Sequence, residues 1–339
     1  VSTVLTWEKI HTWNLGVDWG MFNNRLTGSF DYFIRDTKDM VGPAPELPAT
    51  LGTDVPNTNN TDLRTQGWEF QLAWNDRLNN GLGYGAKFLL SDSRRKITRY
   101  PNNPTLSLDS YIEGRYTGDI WGYETIGIAK SKEEMENHLA SLPNGGQNAL
   151  GSSWDAGDIM YKDLNGDGKI DDYDHCHQQY STLPEIYYGF SLGADYRNWG
   201  IKAHFQGVAH RSVSTMLASI YHPLYGNDKN VSEHYLENRW TDATPDARYP
   251  RLTTLSNNHN FQTSSLWMEK GDYLKLRVLE LSYKLPARFA EKMRMSDCRL
   301  FLKGMNLFSI DHVGIMDPEQ MDMEYPSSRS YLIGINVLF

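Results

Sequence analysis

From Ser330 to Phe339 the chain alternates without a break. Tyr331, Ile333, Ile335, Val337 and Phe339 share one side, and Leu332, Gly334, Asn336 and Leu338 the other. Successive side chains of a β-strand point to opposite faces, so a period of two reads as a strand. This strand ends on an aromatic residue with no polar tail, and an apolar edge left open invites pairing with another chain. Closing a sheet into a barrel removes the edge, because the last strand pairs with the first. A closed antiparallel barrel is therefore the first expectation.

The same alternation predicts eight further strands, over about 7–22, 25–38, 64–75, 82–94, 185–197, 199–209, 272–285 and 298–307. The third is the clearest, with Trp68, Phe70, Leu72 and Trp74 opposite Glu69, Gln71 and Asn75. The seventh is mixed: Leu274, Leu276 and Val278 share a face while Leu279 and Leu281 take the other, which a β-bulge would reconcile. Short links at 23–24, 76–81, Asn198 and 286–297 alternate with long ones at about 41–63, 95–184, 210–270 and 308–329. Short turns on one side and long loops on the other is the asymmetry of outer-membrane barrels, whose long loops face outward. Structureless loops of this length would count against a compact soluble domain. The more polar strand faces also carry Asp18, Asp31, Glu69, Lys87, Asp195, Lys202 and His204, too many charges for a packed core. A water-filled lumen accommodates them.

No stretch approaches 18 consecutive apolar residues, so helical spans are excluded, while barrel strands remain compatible with a half-polar composition. The formal net charge of −9 argues against a nucleic-acid partner. Aromatic residues make up 12 % of the chain, which suits interfacial girdles and would equally suit a soluble aromatic core. Cys176 and Cys298 are too few and too far apart for a disulfide framework or a zinc site. The chain opens on Val1 without an export signal, and nine strands is an odd number where single-chain bacterial barrels have even counts. The expectation is that residues 1–339 form the C-terminal portion of a larger barrel.

Several blocks resemble the SusC-like TonB-dependent transporters of the Bacteroidota outer membrane. They are Trp7-Glu8-Lys9 with Asn14-Leu15-Gly16-Val17-Asp18, then Asn24-Arg25-Leu26-Thr27-Gly28 leading into Asp31-Tyr32-Phe33. Thr65-Gln66-Gly67-Trp68-Glu69 is similar to another, as are Gly157-Asp158-Ile159 and Asp163-Leu164-Asn165-Gly166-Asp167-Gly168. Gly271-Asp272-Tyr273-Leu274-Lys275-Leu276-Arg277 and Gly304-Met305-Asn306-Leu307-Phe308 complete the set, in order along nearly the whole chain. The resemblance implies an all-β transmembrane antiparallel barrel of 22 strands, of which this chain supplies about the last nine, in the cell outer membrane. It further implies an N-terminal plug, energising by TonB, a SusD-like lipoprotein lid, and import of glycans or oligopeptides. The plug and TonB box have no counterpart in this sequence.

Within the loop expected at 95–184, residues 163–174 fit the EF-hand calcium pattern. Asp163, Asn165, Asp167, Asp171 and Asp174 fall at positions 1, 3, 5, 9 and 12, the Lys169 carbonyl at position 7 and Gly168 at the sharp turn. Position 12 is an aspartate where the pattern has a bidentate glutamate, so the site would bind more weakly or favour a smaller ion. No helices flank it. We expect an isolated loop stapled by Ca2+ with a structural role, against the plainer possibility of an acidic surface turn that binds nothing.

Catalytic signatures are lacking: there is no His-Glu-x-x-His, Gly-x-Ser-x-Gly or Walker loop, and Gly166 to Lys169 belongs to the acidic loop. The expectation is not an enzyme. Glu233-His234-Tyr235-Leu236-Glu237 reads as a solvated helix face. The long loops are rich in aromatics: Tyr111, Tyr116, Trp121, Tyr123, Trp154, Tyr221, Tyr225, Tyr235, Trp240 and Trp267. Such rings stack on sugars or anchor protein interfaces, but equally pack loops onto themselves. Trp121 and Tyr123 are the candidates for a ligand or partner surface. Two functions follow: active import of a bulky nutrient across the outer membrane with a lipoprotein partner, or a surface or secreted β-rich, calcium-stapled carbohydrate-binding protein.

Overall fold

Alternating side chains place every second residue on one side, and the computed structural model shows what this builds. It describes residues 5–43, 57–108, 110–216, 232–252, 260–314, 316–320 and 327–339. The strands are β1 (Lys9–Met21), β2 (Leu26–Pro43), β3 (Asn57–Arg77), β4 (Gly83–Arg99), β5 (Trp121–Tyr123), β6 (Thr125–Ile128) and β7 (Ile159–Tyr161). They continue with β8 (His175–His177), β9 (Ile186–Tyr196), β10 (Trp199–Ala209), β11 (Ser212–Ser214) and β12 (Met268–Lys270). The last three are β13 (Tyr273–Lys284), β14 (Asp297–Asp311) and β15 (Ser330–Leu338). Among the described residues three α-helices join them: α1 (Lys132–Ala140), α2 (Glu233–Asn238) and α3 (Ala287–Lys292).

The chain forms two compact units. The first comprises 1–118, 183–211 and 271–339 and holds one nine-stranded antiparallel sheet, in the order β1-β2-β3-β4-β9-β10-β13-β14-β15. All nine expected strands are present, and each neighbours the next one in sequence. Their register aligns the apolar sides. Val17, Phe30, Phe70, Leu90, Tyr188, Gly207, Leu274 and Ile310 form one row of cross-strand partners, and Trp19, Gly28, Leu72, Phe88, Phe190, Phe205, Leu276 and Phe308 the next. Gly28 is the one gap in the second row: the Trp19 indole lies over it, where a Cβ would collide. The intervening row is Asp18, Ser29, Gln71, Leu89, Gly189, Gln206, Lys275 and Ser309, polar except for Leu89 and the small Gly189. The expected bulge is present: the register shifts at Leu276/Val278 against β14 and at His204/Phe205 against β13. One extra residue restores parity, so Leu279 and Leu281 rejoin the side that Leu276 occupies.

Four sequence-based boundaries need correction. β2 and β3 extend to Pro43 and from Asn57, so the loop expected over 41–63 is shorter. β4 continues to Arg99 and β14 to Asp311, which moves the starts of the loops expected at 95 and 308. The β14 extension keeps the alternation with Phe308 and Ile310, whereas those of β2 and β3 lack it and carry polar bonds. Asp39 N–H donates to Asp62 Oδ1 at 2.8 Å, and Asn59 Nδ2 donates to Asp39 O at 2.5 Å. The link over 286–297 contains α3, whose Ala290 packs with Met295 and Cys298.

The second unit comprises 119–182 and 212–270. It is built from three two-stranded ladders, β5-β8, β6-β7 and β11-β12, with α1 and α2. Its interior is aromatic and aliphatic: Tyr123, Leu142, Ile159, Tyr161 and Ile170 form one cluster, and Ala129, Met135 and Met160 another. Ser131 caps α1 by accepting from the Glu134 N–H.

Candidate functional site

The polar side of the nine-stranded sheet gathers the charged residues that sequence placed there. A hollow of about 810 Å³ is lined by residues of six strands, among them Lys87, Asp195, Lys202, His204, Glu280 and Arg299. Next to it a second, of about 380 Å³, is lined by Asp31, Glu69, Gln71, Ser91, His204 and Gln206. Within the first, Glu280 is flanked by Arg299 and Lys303 (3.1 Å), Arg77 meets Asp195 at 2.6 Å, and Ser191 bonds His204 Nδ1 at 2.8 Å. These groups lie in open, wettable space and mix both signs. Such a surface can pass or hold polar cargo. The opposite side exposes Val17, Phe30, Phe88, Leu192, Ile201, Leu302 and Ile333. An apolar expanse of that extent needs a non-aqueous neighbour.

In the second unit the acidic loop leaves β7 and enters β8 through a single turn of 3-10 helix at Asp172–Asp174, without flanking helices, as expected. Its oxygens bond the loop's own backbone. Asp163 accepts from Gly166 and Gly168 N–H (2.7 and 2.8 Å), Asn165 from Asp167 N–H and Asp167 from Lys169 N–H. Asp174 is fully buried: one oxygen accepts from Leu164 N–H at 2.8 Å and the other from Asp171 N–H at 2.9 Å. Gly166 and Gly168 take φ of 77° and 81°, conformations that side chains disfavour, and Ile170 anchors the loop in the core. The Lys169 ammonium sits 2.5 Å from Asp171 and 3.8 Å from Asp167, where a metal ion would compete with it. That pair holds the Asp171 carboxyl below the ordinary range and the Lys169 ammonium above its own. Among the described residues no three His, Cys, Asp or Glu side chains converge on a point suited to a metal ion. The donor set thus has the chemistry for a hard cation, while in this conformation lysine performs the neutralising role.

Tyr123 is not a surface residue, which corrects the expectation. It is 2 % exposed, packed edge-on against Tyr161 with ring centroids 5.4 Å apart. Burial pushes its hydroxyl pKa up, and the Asp172 carboxylate adds to the shift. Alternation in Trp-Gly-Tyr gave no warning, because β5 pairs with β8 on one side while its Tyr123 N–H bonds Thr263 O on the other. Trp121 is partly exposed and meets His177 edge-on at 5.7 Å. Tyr235 and Trp267 are buried as well, stacked through Tyr249 at 5.3 and 5.8 Å. The expected solvated face at 233–237 is therefore only part of α2. Tyr111 and Tyr116 are exposed, and Trp154 and Trp240 partly so. Tyr221 and Tyr225 lie outside the described residues. Cys176 and Cys298 are both free thiols.

Sequence reading missed the hub of the second unit. Asp158, fully buried, accepts from Arg251 Nε and Nη2 at 2.7 and 2.9 Å and from Asn260 Nδ2 at 2.8 Å. Gly157 beside it admits Trp240, whose ring atoms would lie 2.6 Å from an added Cβ. The block Gly157-Asp158-Ile159 was the available signal, without its distant partners.

The family described as "TonB dependent receptor-like, beta-barrel" matches residues 2–215. The chain is 26 % identical to TonB-dependent receptor P3 of Formosa agariphila over 364 aligned positions, covering 99 % of this chain and 34 % of that protein. TonB-dependent receptor SusC of Bacteroides thetaiotaomicron is 21 % identical, with 99 % and 32 % covered. The chain thus spans about a third of the length of the curated relatives it matches. The solved RagAB peptide transporter shares the fold, with a TM-score of 0.70 at 22 % identity, covering 98 % of this chain and 35 % of that one. With nine ordered strands in register and more than half its length matched, the chain belongs to the TonB-dependent receptor-like β-barrel family.

Proposed function

We propose that this chain is part of an outer-membrane importer, energised through TonB and working with a SusD-like surface lipoprotein, that admits a bulky nutrient such as a glycan or an oligopeptide. One observation carries the reading: a nine-stranded sheet with a continuous apolar side, a charged side with open hollows, and long excursions on alternate connections only. The apolar side contacts lipid, the polar side lines an aqueous passage, and the excursions at 100–185 and 210–272 face the exterior. A soluble carbohydrate-binding protein would instead bury the apolar side against a second layer. A structural neighbour named as a peptide transporter supports oligopeptides, and the SusC-like resemblance implies glycans or oligopeptides, so these are the two cargo classes to test. Deletion of the full-length gene together with its lipoprotein partner, followed by growth on a panel of purified glycans and oligopeptides, should abolish use of one class. Unimpaired growth on every member would remove the importer reading.

We also propose that the loop at 163–174 takes calcium through Asp163, Asn165, Asp167, the Lys169 carbonyl, Asp171 and Asp174, with the Lys169 side chain displaced. The ion would stiffen the second unit and take no part in chemistry. Calorimetric titration of the purified protein with Ca2+ should give a saturable signal that Asp174→Ala removes, whereas no heat from the unaltered protein would leave the loop as a lysine-neutralised turn.

A further inference from the structure

Lys275 is the one charged member of its row that is deeply buried. It is 4 % exposed, yet its cross-strand partners Gln206 and Ser309 are both exposed. The sheet itself therefore does not bury it. What covers it is the turn Asp317-Pro318-Glu319, which lies in the connection between β14 and β15 and folds back over the polar side. The ammonium binds Asp317 and, at 2.9 Å, Glu319 Oε2. Arg277 binds the other oxygen of Glu319, to which the Tyr273 hydroxyl donates at 2.6 Å. Arg211 Nη1 donates to Pro318 O at 2.7 Å, and the turn is closed internally by Glu319 N–H on Asp317 Oδ1 at 2.9 Å. Its bonds to the wall are polar, three of them ionic, while Pro318 and the adjoining Met316 are buried.

Desolvating charges is costly, and an apolar contact of equal size would hold such a turn at least as firmly. An ionic fastening differs in being readily exchanged for water when the turn lifts, since each group on the wall and on the turn is then solvated. We infer that Asp317-Pro318-Glu319 is a releasable strap, latched onto the polar side of β13 by Lys275, Arg277 and Tyr273 and tied by Arg211 just beyond the end of β10. Closed, it narrows that side beside the loop end of β13. Open, it bares Lys275 and adds width for cargo. The inference rests on reading the polar side as a passage, but its test does not use transport.

The test uses the full-length protein in detergent. Asp317→Asn with Glu319→Gln, placed on the turn and leaving the wall intact, should raise acylation of Lys275 by a water-soluble amine reagent, read by mass spectrometry, by about tenfold or more. Amide exchange at Glu319 and Gln320 should accelerate similarly, while β13 and β14 stay protected. Lys275→Met, approaching from the wall, should give the same acceleration at Glu319 and Gln320. If that variant fails to fold, the double variant decides. Unchanged Lys275 reactivity, or exchange that spreads through β13 and β14 together, overturns the strap: the turn would then be a fixed part of the wall.

Discussion

Replacing Asp158 with alanine lowers the unfolding free energy of the second unit by about 2–3 kcal/mol, the cost of stranding a partly buried cation and a buried amide. The magnitude follows from what is left behind. Arg251 loses both of its contacts to the carboxylate, and Asn260 loses an acceptor inside the core. Asn260 in turn accepts from Ile159 N–H at 2.9 Å through its side chain and from Trp267 Nε1 at 2.8 Å through its carbonyl. The indole of Trp267 is fully buried, so its fluorescence reports the transition in urea. Substituting Asp158 and Arg251 together with leucine and methionine should recover part of the loss, because paired removal leaves no orphan charge. A single-variant midpoint equal to that of the unaltered protein would show that the network is not a hub.

The second large effect separates the two sides of the sheet. Phe190→Arg should destabilise the barrel by about 2–4 kcal/mol in lipid, the cost of arginine facing the bilayer midplane. Phe190 sits mid-strand in an apolar row, stacked on Phe205 with centroids 4.4 Å apart and an interplanar angle of 15°. Gln71→Arg, in the neighbouring polar row, should cost little, since that side already holds lysine and arginine in open hollows. Folded fractions can be read from heat-modifiable migration on a gel after titration with urea. Equal tolerance of both substitutions would contradict the assignment of lipid and water to opposite sides.

Much of the sheet was legible because barrel strands obey a local rule. Each residue's side is fixed by parity, so the apolar side of a strand such as Trp68, Phe70, Leu72 and Trp74 can be written down before any partner is known, while the rows themselves, which run on to Phe308 and Ile310 beyond the expected strand end, need the register. Even the disordered pattern around Leu276 and Leu279 pointed to its own remedy in a bulge. Legibility failed where polar bonds take over from alternation. The extension of β3 to Asn57 relies on groups such as Asn59 and Asp39, which no periodicity announces. In the second unit the decisive contacts join residues about 100 positions apart, as with Asp158 and Asn260. Tyr123 looked like a ligand platform because an aromatic residue between Gly122 and Glu124 has no local mark of burial; its neighbours Tyr161 and Ile170 come from another ladder and from the acidic loop. That loop was readable as a pattern of oxygens, but not the ammonium of Lys169 among them, since a side chain four carbons long can turn either way.

The second unit is stitched from two stretches that the chain visits on either side of the β9-β10 hairpin. Each stretch is incomplete alone: Tyr123 N–H bonds Thr263 O, and Asp158 waits for Arg251. Such a domain cannot be lengthened, trimmed or exchanged through one insertion at a time. A transplant of its outer architecture into a related protein must carry both stretches at once, and drift in either is answerable to the other.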